Sequence, residues 1–345
     1  MDIQKLEQFL KERGEARFRL TQIKKAVFQD AAESFDEITS LPKELREELG
    51  KRFDVLPFSV EAVLESNDKK SFKALLKLAD GKCIETVLMN PSDDAWSVCV
   101  STQVGCAMKC AFCATGKLGF QRNLSSEEIW GQVLFWKQRM KEGPDKAEGR
   151  ISHVVYMGMG EPFNNQENVF ESIRALTDKE MLGLAQRGIS VSTSGIVPGI
   201  EKFGEEFPQV NLAISLHAAN NELRSELMPV NKAYDLEKLA GSLKKYFTVS
   251  NRQVFVEYIL LDGKNDSMAH AKELADYLKT IGYRHLLHVN LIVFNPIQGA
   301  PFKSSSQKQA REFRNFLIKN GISATIRKSM GQDIEGACGQ LAGRK

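Results

Sequence analysis

The chain has 345 residues, of which 42% are hydrophobic and 26% are charged. These shares are close to the averages of soluble globular proteins and exclude a collagen, a coiled coil and a wholly disordered chain. The net charge of +3 is too small to indicate a nucleic-acid partner by itself, so any functional basic surface must be local. Six cysteines are too few for a disulfide scaffold, but four of them fall within residues 99–113.

The start of the sequence, Met1 to Lys5, has no apolar segment followed by small residues, so it does not resemble a secretory signal. No run of about 18 apolar residues occurs, which predicts a protein without a membrane span. We therefore expect a cytoplasmic protein. In that compartment clustered cysteines are more often metal ligands or catalytic thiols than structural disulfides.

Helical periodicity marks the first 50 residues. Apolar side chains recur on one face in two segments, and a third helix is expected between Ser40 and Gly50. The apolar positions are Ile3, Leu6, Phe9, Leu10, Leu20, Ile23 and Val27. The period then changes to two over 72–78 and 84–89, on either side of Asp80-Gly81, and this pattern predicts a β-hairpin.

From about residue 96 onward, short apolar strands alternate with helical segments. The predicted strands are 97–101, 154–157, 189–192, 212–216, 254–261 and 289–294. Six strands alternating with helices predict a parallel α/β fold. Six units are too few for a complete eight-fold barrel, whereas an open partial barrel and a doubly wound sheet both fit.

Three cysteines, Cys106, Cys110 and Cys113, follow the first of these strands. A structural zinc site needs four ligands, usually from two separated pairs. An iron–sulfur cluster bound by three cysteines leaves one iron open, whereas Cys99 as a fourth ligand would give a plain electron-transfer cluster or a zinc site. The position at the first strand-to-helix junction, where α/β folds place active sites, favours the open iron.

The CxxxCxxC spacing of these cysteines, with Phe112 before the last, resembles the motif of the radical S-adenosylmethionine (SAM) superfamily. The resemblance implies that Cys106, Cys110 and Cys113 bind one [4Fe-4S] cluster, whose open iron is chelated by the amino and carboxylate groups of S-adenosyl-L-methionine. It also implies a partial (βα)6 barrel, one of the two architectures that the strand pattern allows.

Six further segments, in order along the chain, are similar to the RlmN/Cfr family of RNA adenine methyltransferases within that superfamily. They are 99–106 (CVSTQVGC), 158–162 (GMGEP), 192–195 (STSG), 215–218 (SLHA), 227–231 (LMPVN) and 336–341 (GACGQL). The resemblance implies four regions. They are a small helical N-terminal accessory domain that binds RNA (1–68), a β-hairpin linker (69–95), a radical SAM core (96–328) and a C-terminal catalytic tail (329–345).

The implied reaction is methylation of adenine at C2, a ring carbon too electron-poor to attack a sulfonium methyl group directly. In the family, a cysteine near the C-terminus is first methylated by one SAM molecule, and a radical made from a second SAM abstracts hydrogen from that methyl group. The carbon radical adds to the ring, and a second cysteine resolves the protein–RNA adduct through a transient disulfide. Cys338 matches the methyl-carrying cysteine and Cys99 the resolving one.

Glu85 resembles the general-base glutamate of the family, although one extra residue separates it from Cys99. Cys83 matches no motif, and we expect it to be structural. Other motif residues lie at or just past strand ends, where side chains point into the mouth of a barrel. By resemblance, the residues that contact SAM are Gly160, Glu161, Ser192, Ser215, Leu216, His217 and Asn295. His217 taken alone would more often be a buried core histidine.

Basic residues cluster in two segments that are candidates for contacts with RNA phosphates. They are Arg13, Arg17, Arg19, Lys24 and Lys25 near the N-terminus, and Lys303, Lys308, Arg311, Arg314, Lys319, Arg327 and Lys328 before Cys338. The resemblance implies as substrates adenine 2503 of 23S rRNA, protein-free or in an early assembly intermediate, and adenine 37 of tRNA. It also implies a monomer, no membrane partner, and an electron donor such as flavodoxin with its reductase.

Three alternatives remain open at this stage. A Cfr-type enzyme would methylate C8 and confer ribosomal antibiotic resistance, although Pro162 after Glu161 and the 295–301 segment look more like RlmN. A radical enzyme with another substrate is the second. The third is a non-enzymatic iron–sulfur or zinc protein that merely binds RNA, which would leave the 158–162 and 336–341 motifs unexplained.

Overall fold

The computed structural model describes residues 1–92, 95–142 and 149–343. Its N-terminal segment is helical, as the periodicity predicts. The helices are α1 (Ile3–Glu12), α2 (Phe18–Lys24), followed by a π-helical turn at Lys25–Gln29, and α3 (Lys43–Arg52). Asp2 caps α1 by accepting a hydrogen bond from the amide of Lys5. The buried faces of these helices belong to the main hydrophobic core, which they share with the strands and helices that follow.

Three antiparallel strands follow: β1 (Phe58–Glu65), β2 (Ser71–Leu78) and β3 (Cys83–Ser92). The hairpin of β2 and β3 is the predicted one, with Gly81 at φ +82° in its turn. The extension has one strand more than predicted, because β1 lies within the region 1–68 that we expected to be helical. None of the residues of β1 is buried, and they include helix formers, so no single hydrophobic period marks it.

A small second sheet holds the base of the cysteine segment. After β4 (Ala95–Cys99), the short strand β5 (Gln103–Val104) pairs antiparallel with β6 (Arg122–Asn123), and helix α4 (Ala114–Leu118) lies between them in the chain. Residues 105–121, which include the cysteine loop and α4, therefore start and end at this small sheet.

The rest of the chain alternates helices and strands, as predicted. In chain order the elements are α5 (Ser126–Glu142), β7 (Arg150–Tyr156), α6 (Gln166–Thr177), β8 (Ile189–Thr193), α7 (Val197–Glu206), β9 (Asn211–Ser215), α8 (Asn221–Leu227), α9 (Leu236–Val249), β10 (Val254–Leu260), α10 (Met268–Ile281), β11 (Leu287–Val293), α11 (Gln307–Lys319) and β12 (Ser323–Ile326). The six predicted strands correspond to β4 and β7 to β11. The seventh, β12, is only four residues long and was not predicted.

The strands of the main sheet follow one another in the order β1-β2-β3-β4-β7-β8-β9-β10-β11-β12. From β4 to β12 all neighbours pair in parallel. A doubly wound sheet reverses its strand order at a switch point. The order here never reverses, which confirms the partial barrel; β1 and β12 are the edges of the whole sheet.

The carboxyl ends of the parallel strands lie at one rim of this sheet, and polar residues at that rim can meet. Among the described residues, no helix combines the length and the apolar character that a membrane crossing requires.

Candidate active site

At the base of the loop that carries Cys106, Cys110 and Cys113, the backbones of Gly105 and Gly119 lie very close together. Gly105 has φ +73°, and a Cβ atom there would lie 1.7 Å from the carbonyl oxygen of Gly119. The amide of Cys106 donates to that same oxygen over 3.1 Å. Only glycine tolerates both the positive φ angle and the short contact with Gly119. The closed loop therefore requires glycine at position 105, directly before the first cysteine.

Cys106 of this loop is buried, and Cys110 and Cys113 are partly buried. Burial raises the pKa of Cys106 to about 12, and the nearby Glu161 and Cys113 add to the rise. Burial also raises the pKa of Cys110, with Cys113 and Cys106 as the next contributors. Within the described ranges, no three ligating side chains meet closely enough to hold a single metal ion. Three thiols around a wider space suit an iron–sulfur cluster, in which several irons share the ligands.

A cavity opens beside the three cysteines at the rim of the barrel. The predicted site residues that line it are Cys106, Cys110, Cys113, Gly160, Glu161, Ser192, Ser215, His217 and Cys338. Leu216 and Asn295, which we also predicted as SAM contacts, are not among its lining residues. The structure thus brings thiol donors and polar strand ends around one space, and this donor set fits a cluster with SAM beside it.

Residues 158–161 pass very close to residues 100–103, which precede the cysteine loop. This approach leaves no room for a side chain at Gly158 or Gly160. A Cβ atom on Gly158 would lie 2.7 Å from the carbonyl oxygen of Val100, and one on Gly160 would lie 2.6 Å from the Cβ of Gln103. The side chain of Gln103 accepts a hydrogen bond over 2.9 Å from the amide that follows Gly160. The glycines therefore fix the end of β7 against the base of the loop.

Glu161 is buried and joins two strand ends. Its Oε1 accepts from the amide of Phe163 over 3.1 Å, and its Oε2 accepts from the amide of Ser194 over 2.7 Å. Burial raises the pKa of this carboxyl group. Each carboxylate oxygen has a second lone pair, so Glu161 can also accept a hydrogen bond from an ammonium group in the cavity.

His217 is held in one tautomer. Its Nδ1 accepts from the amide of Ile259 over 3.0 Å, so the neutral ring carries its proton on Nε2. Burial lowers the pKa of His217 to about 3, and Arg224 adds to the effect. The ring contacts Phe112 edge-on, with 4.7 Å between centroids. At neutral pH His217 therefore offers a neutral N–H donor.

The C-terminal tail returns to this cavity after β12. Asn295 donates through Nδ2 to the carbonyl oxygen of Cys338 over 3.1 Å and accepts from Nε2 of Gln332 over 2.6 Å. In this structure the side chain of Asn295 thus holds the tail. Residues 344–345 of the expected tail lie outside the described residues.

Cys338 lies between two cavities. It lines the cavity of the three cysteines and also a second cavity, which contains Cys99. All six cysteines are free thiols, Cys99 being buried and Cys338 exposed, so the expected transient disulfide is not formed here. Burial raises the pKa of Cys99 to about 12, and the nearby Cys338 adds to the rise.

Glu85 lies on β3 with both carboxylate oxygens engaged. Its Oε1 lies 2.9 Å from Nζ of Lys73, and its Oε2 accepts from the amides of Ala342 and Gly343 over 2.6 and 2.8 Å. Glu85 is 1% exposed and lines neither of the two cavities that contain Cys338. The residue that we predicted as general base is thus bound to the C-terminal tail.

The pair of Arg327 and Glu257 is a part of the site that the sequence analysis missed. The two side chains are 3.3 Å apart and both line the first cavity, while Arg327 also lines the second. Arg327 is among the residues that the sequence analysis assigns to RNA phosphates, and in the structure it pairs with a buried carboxylate. The available signal was Glu257 itself, a charge inside the apolar strand β10.

Arg224 is a second residue that the sequence analysis missed. It is fully buried and donates to backbone carbonyl oxygens at the ends of two strands, including Ser194 over 2.7 Å and Leu216 over 3.2 Å. Arg224 therefore joins the ends of β8 and β9, where the cavity is built. Nothing in the sequence distinguishes it from the exposed arginines of other helices.

Two regions of the chain match known families. Residues 100–278, more than half of the chain, match the radical SAM superfamily. Residues 1–55 match the ribosomal RNA large subunit methyltransferase N-terminal domain.

Relatives and a solved structure cover nearly the whole chain. The probable dual-specificity RNA methyltransferase RlmN of Streptococcus suis is 43% identical over 331 residues, which are 96% of this chain and 88% of that protein. The corresponding protein of Streptococcus mutans is 44% identical over 332 residues, 96% of this chain and 90% of that protein. The crystal structure of a radical SAM methyltransferase from Sphaerobacter thermophilus has a TM-score of 0.94 and 41% identity, and the match covers 100% of this chain and 98% of that one.

These matches contradict the non-enzymatic alternative, because the relatives are methyltransferases along the same length of chain. They also agree with the partial barrel, the cysteine loop and the helical N-terminal segment described above. The chain therefore belongs to the RlmN family of radical SAM RNA methyltransferases.

Proposed function

We propose that the protein methylates C2 of adenine in RNA, at adenine 2503 of 23S rRNA and at adenine 37 of tRNA. The observation that carries this proposal is the position of Cys338, where the cavity of the three cysteines meets the cavity of Cys99. A thiol there can receive a carbon from one side and be attacked by a second thiol from the other. A direct transfer from SAM to RNA would need neither thiol.

Cys106, Cys110 and Cys113 would hold the [4Fe-4S] cluster, and Glu161 would accept from the amino group of SAM. When bound, the cluster and SAM supply the methyl group and the 5′-deoxyadenosyl radical. Ser192 and Ser215 offer hydroxyl groups in the same cavity, and His217 adds its Nε2–H donor. Glu161 and His217 are buried, so their hydrogen bonds are stronger than they would be in solvent.

Cys338 carries the new carbon to the ring, and Cys99 releases the product. The sulfur of Cys338 gains a methyl group as its thiol loses a proton. That methyl group would then lose a hydrogen atom to the 5′-deoxyadenosyl radical, and its carbon would bond to C2 of adenine as the ring gives up one electron to the cluster and its C2 proton to a base. In the release step the thiolate of Cys99 attacks the sulfur of Cys338, so a disulfide forms while the sulfur–carbon bond breaks. The carbon leaves with the electron pair and takes a proton to become the product methyl group. A thiol reductant must then reduce the disulfide.

Exposed basic residues supply the RNA contacts in this proposal. Lys308, Arg311 and Lys319 are exposed on α11, the helix that precedes β12 and the catalytic tail. In the N-terminal segment, Lys24 is already paired with Glu180 at 3.2 Å. The target adenine must leave its stack to reach Cys338. We propose flavodoxin with its reductase as the electron donor.

Nucleoside analysis tests the function. The protein, reconstituted with iron and sulfide under anaerobic conditions, is given SAM, a reductant and 23S rRNA or tRNA transcripts. We expect 2-methyladenosine from the wild type, none from Cys338→Ala, and a trapped protein–RNA adduct from Cys99→Ala. Cys83→Ala is the matched control and should behave as the wild type.

Two other results would contradict the proposal. 8-Methyladenosine as product would support a Cfr-type enzyme instead. Normal turnover by the Cys338→Ala variant would refute the methyl-carrying role and support a radical enzyme of another kind.

A further inference from the structure

We propose that the buried ion pair of Lys73 and Glu85 is a latch that holds the C-terminal tail and so sets the position of Cys338. This positioning role rests on the proposed function of Cys338, and it assigns a task to Lys73, which matches no motif of the sequence. It also gives Glu85 a role other than that of a general base.

The latch is built into the antiparallel extension. Lys73 on β2 and Glu85 on β3 lie on the same face of the sheet, because Leu75 pairs with Glu85 and Lys73 is two residues from Leu75. Their side chains form an ion pair at 2.9 Å, and the residues are 7% and 1% exposed. Buried charges need partners for all their hydrogen-bonding capacity. Here the two side chains pair with each other, and the tail supplies three further partners.

The pair contacts the tail on both sides of Cys338. Before it, Nζ of Lys73 donates to the carbonyl oxygen of Glu335 over 3.4 Å. After it, Oε2 of Glu85 accepts from the amides of Ala342 and Gly343 over 2.6 and 2.8 Å. The tail is thus held at one place before Cys338 and at one place after it. These contacts restrict the movement of the loop that carries this exposed thiol.

Other contacts agree with a docked tail. The amide of Ala114, the residue after the last cysteine of the loop, donates to the carbonyl oxygen of Gly339 over 2.8 Å. The hydroxyl group of Thr115 donates to the carbonyl oxygen of Leu341 over 2.7 Å. The tail therefore spans from the latch to the cysteine loop, and a change at the latch reaches Cys338 directly.

The loss of a latch and the loss of a general base would impair different steps of the reaction. A base acts on the adduct, so its loss leaves the methylation of Cys338 intact and lets adduct accumulate. A latch acts from the first step onward, so its loss slows the methylation of Cys338 itself. In addition, Lys73 should matter as much as Glu85 for a latch but not for a base.

The test compares Lys73→Met, Glu85→Gln and the double variant Lys73→Met/Glu85→Met with the full-length wild type, all with the cluster reconstituted. Lys77→Met, an exposed lysine on the same strand, is the matched control. The first readout is hydrogen exchange of the Ala342 and Gly343 amides, and the second is the rate of Cys338 methylation by SAM before RNA is added. The double variant leaves no unpaired buried charge, so a melting curve shows whether it folds as the wild type does.

We expect exchange of the two amides to accelerate about tenfold to a hundredfold in both single variants and in the folded double variant, as hydrogen bonds to a charged acceptor are lost or weakened. Methylation of Cys338 should slow about tenfold or more, because a misplaced group reacts slowly. Lys77→Met should change neither.

One pattern would overturn the latch: wild-type exchange and methylation in Lys73→Met, together with normal methylation and accumulated adduct in Glu85→Gln. That pattern would restore Glu85 as the general base. Unmethylated adenine in the wild-type assay would instead refute the proposed function, while amide exchange would still report on the latch.

Discussion

Nη1 of Arg327 lies 3.3 Å from Oε2 of Glu257, where the cavity of the three cysteines adjoins the cavity of Cys99. Glu257 is buried on β10, and its other oxygen accepts from Nδ2 of Asn290 over 2.9 Å. Arg327 comes directly after β12, so this pair ties the last edge strand of the barrel to its interior. It also places a fixed positive charge beside both reactive thiols, where it opposes the rise in the pKa of Cys99.

The Arg327→Met substitution should lower the free energy of unfolding by about 1–3 kcal/mol, because it leaves the carboxylate of Glu257 buried with only one neutral partner. This loss is smaller than the roughly 3–5 kcal/mol of a broken, fully buried pair, since the side chain of Arg327 is 33% exposed. Urea unfolding at neutral pH measures the effect. The matched control, Arg311→Met on the exposed face of α11, should change stability by less than about 0.5 kcal/mol. Equal stability of the two variants would show that the pair does not hold the strand.

The Gly105→Ala substitution should prevent the cysteine loop from closing. The new Cβ atom would overlap the carbonyl oxygen of Gly119, so either the backbone shifts or Cys106 loses its hydrogen bond. We expect iron bound after reconstitution to fall to a small fraction of the wild-type content, as measured by iron analysis and by the absorbance of the cluster.

The Gly81→Ala variant distinguishes the effect of the steric contact at Gly105 from the effect of a strained φ angle. Gly81 also has a positive φ, +82°, but a Cβ atom there meets nothing within 4 Å. This variant should lose only about 1 kcal/mol of stability and should bind iron as the wild type does. Equal loss of iron in both variants would assign the effect to backbone strain alone.

Local features of this site are visible in the sequence, and features that depend on folding are not. The three cysteines lie in one loop, so their spacing alone predicts a common ligand. The strands β9 and β10 show as mostly apolar runs because both of their faces are buried. Periodicity alone could not give the strand order, since it does not say whether consecutive strands wind in one direction, and only the family resemblance implied the partial barrel.

Contacts between distant residues are the part that the sequence does not reveal. Glu85 meets Ala342 across 257 positions of chain, and Arg327 meets Glu257 across 70. The composition around Arg327 is basic, which favours a phosphate-binding interpretation until the partner is known. Lys73 reads as one more lysine of an amphipathic hairpin, yet the folded tail covers it.

The His217→Asn substitution should remove a pH dependence of stability. Burial lowers the pKa of His217 from 6.5 to about 3, so below pH 6.5 the unfolded chain binds a proton that the folded protein does not. Folding is therefore penalised as the pH falls from 6.5 towards 3, and the full stability is present above that range. Asparagine tolerates the positive φ of this position and can accept from the amide of Ile259 in place of Nδ1.

Urea unfolding at about pH 7.5 and about pH 5 gives the measurement. The wild type should lose about 2 kcal/mol more than His217→Asn over this interval, the value expected for a titration that occurs only in the unfolded state. His285→Asn, at an exposed position, is the control and should keep the wild-type dependence. A pH dependence that is unchanged in His217→Asn would show that other groups cause it.

The Arg224→Leu substitution should damage the rim of the barrel without replacing any predicted SAM contact, because Arg224 bonds only to the backbone of two of them, Ser215 and Leu216. Arg224 is 0% exposed and donates to four carbonyl oxygens and one side-chain amide, so leucine would leave five acceptors without their donor. The acceptors are Ser194, Ser215, Leu216, Asn231 and Tyr234. We expect a loss of about 3–5 kcal/mol in the free energy of unfolding.

Arg224→Lys tests whether charge alone suffices. Lysine keeps the charge but has three donors on one nitrogen, which cannot reach oxygens from β8 and β9 at once. It should therefore restore less than half of the lost stability in a thermal melt, and it should bind SAM more weakly than the wild type in equilibrium dialysis. The exposed Arg187→Leu serves as control and should bind SAM normally. Full recovery by lysine would mean that the buried charge, and not the geometry of the guanidinium, holds the strand ends together.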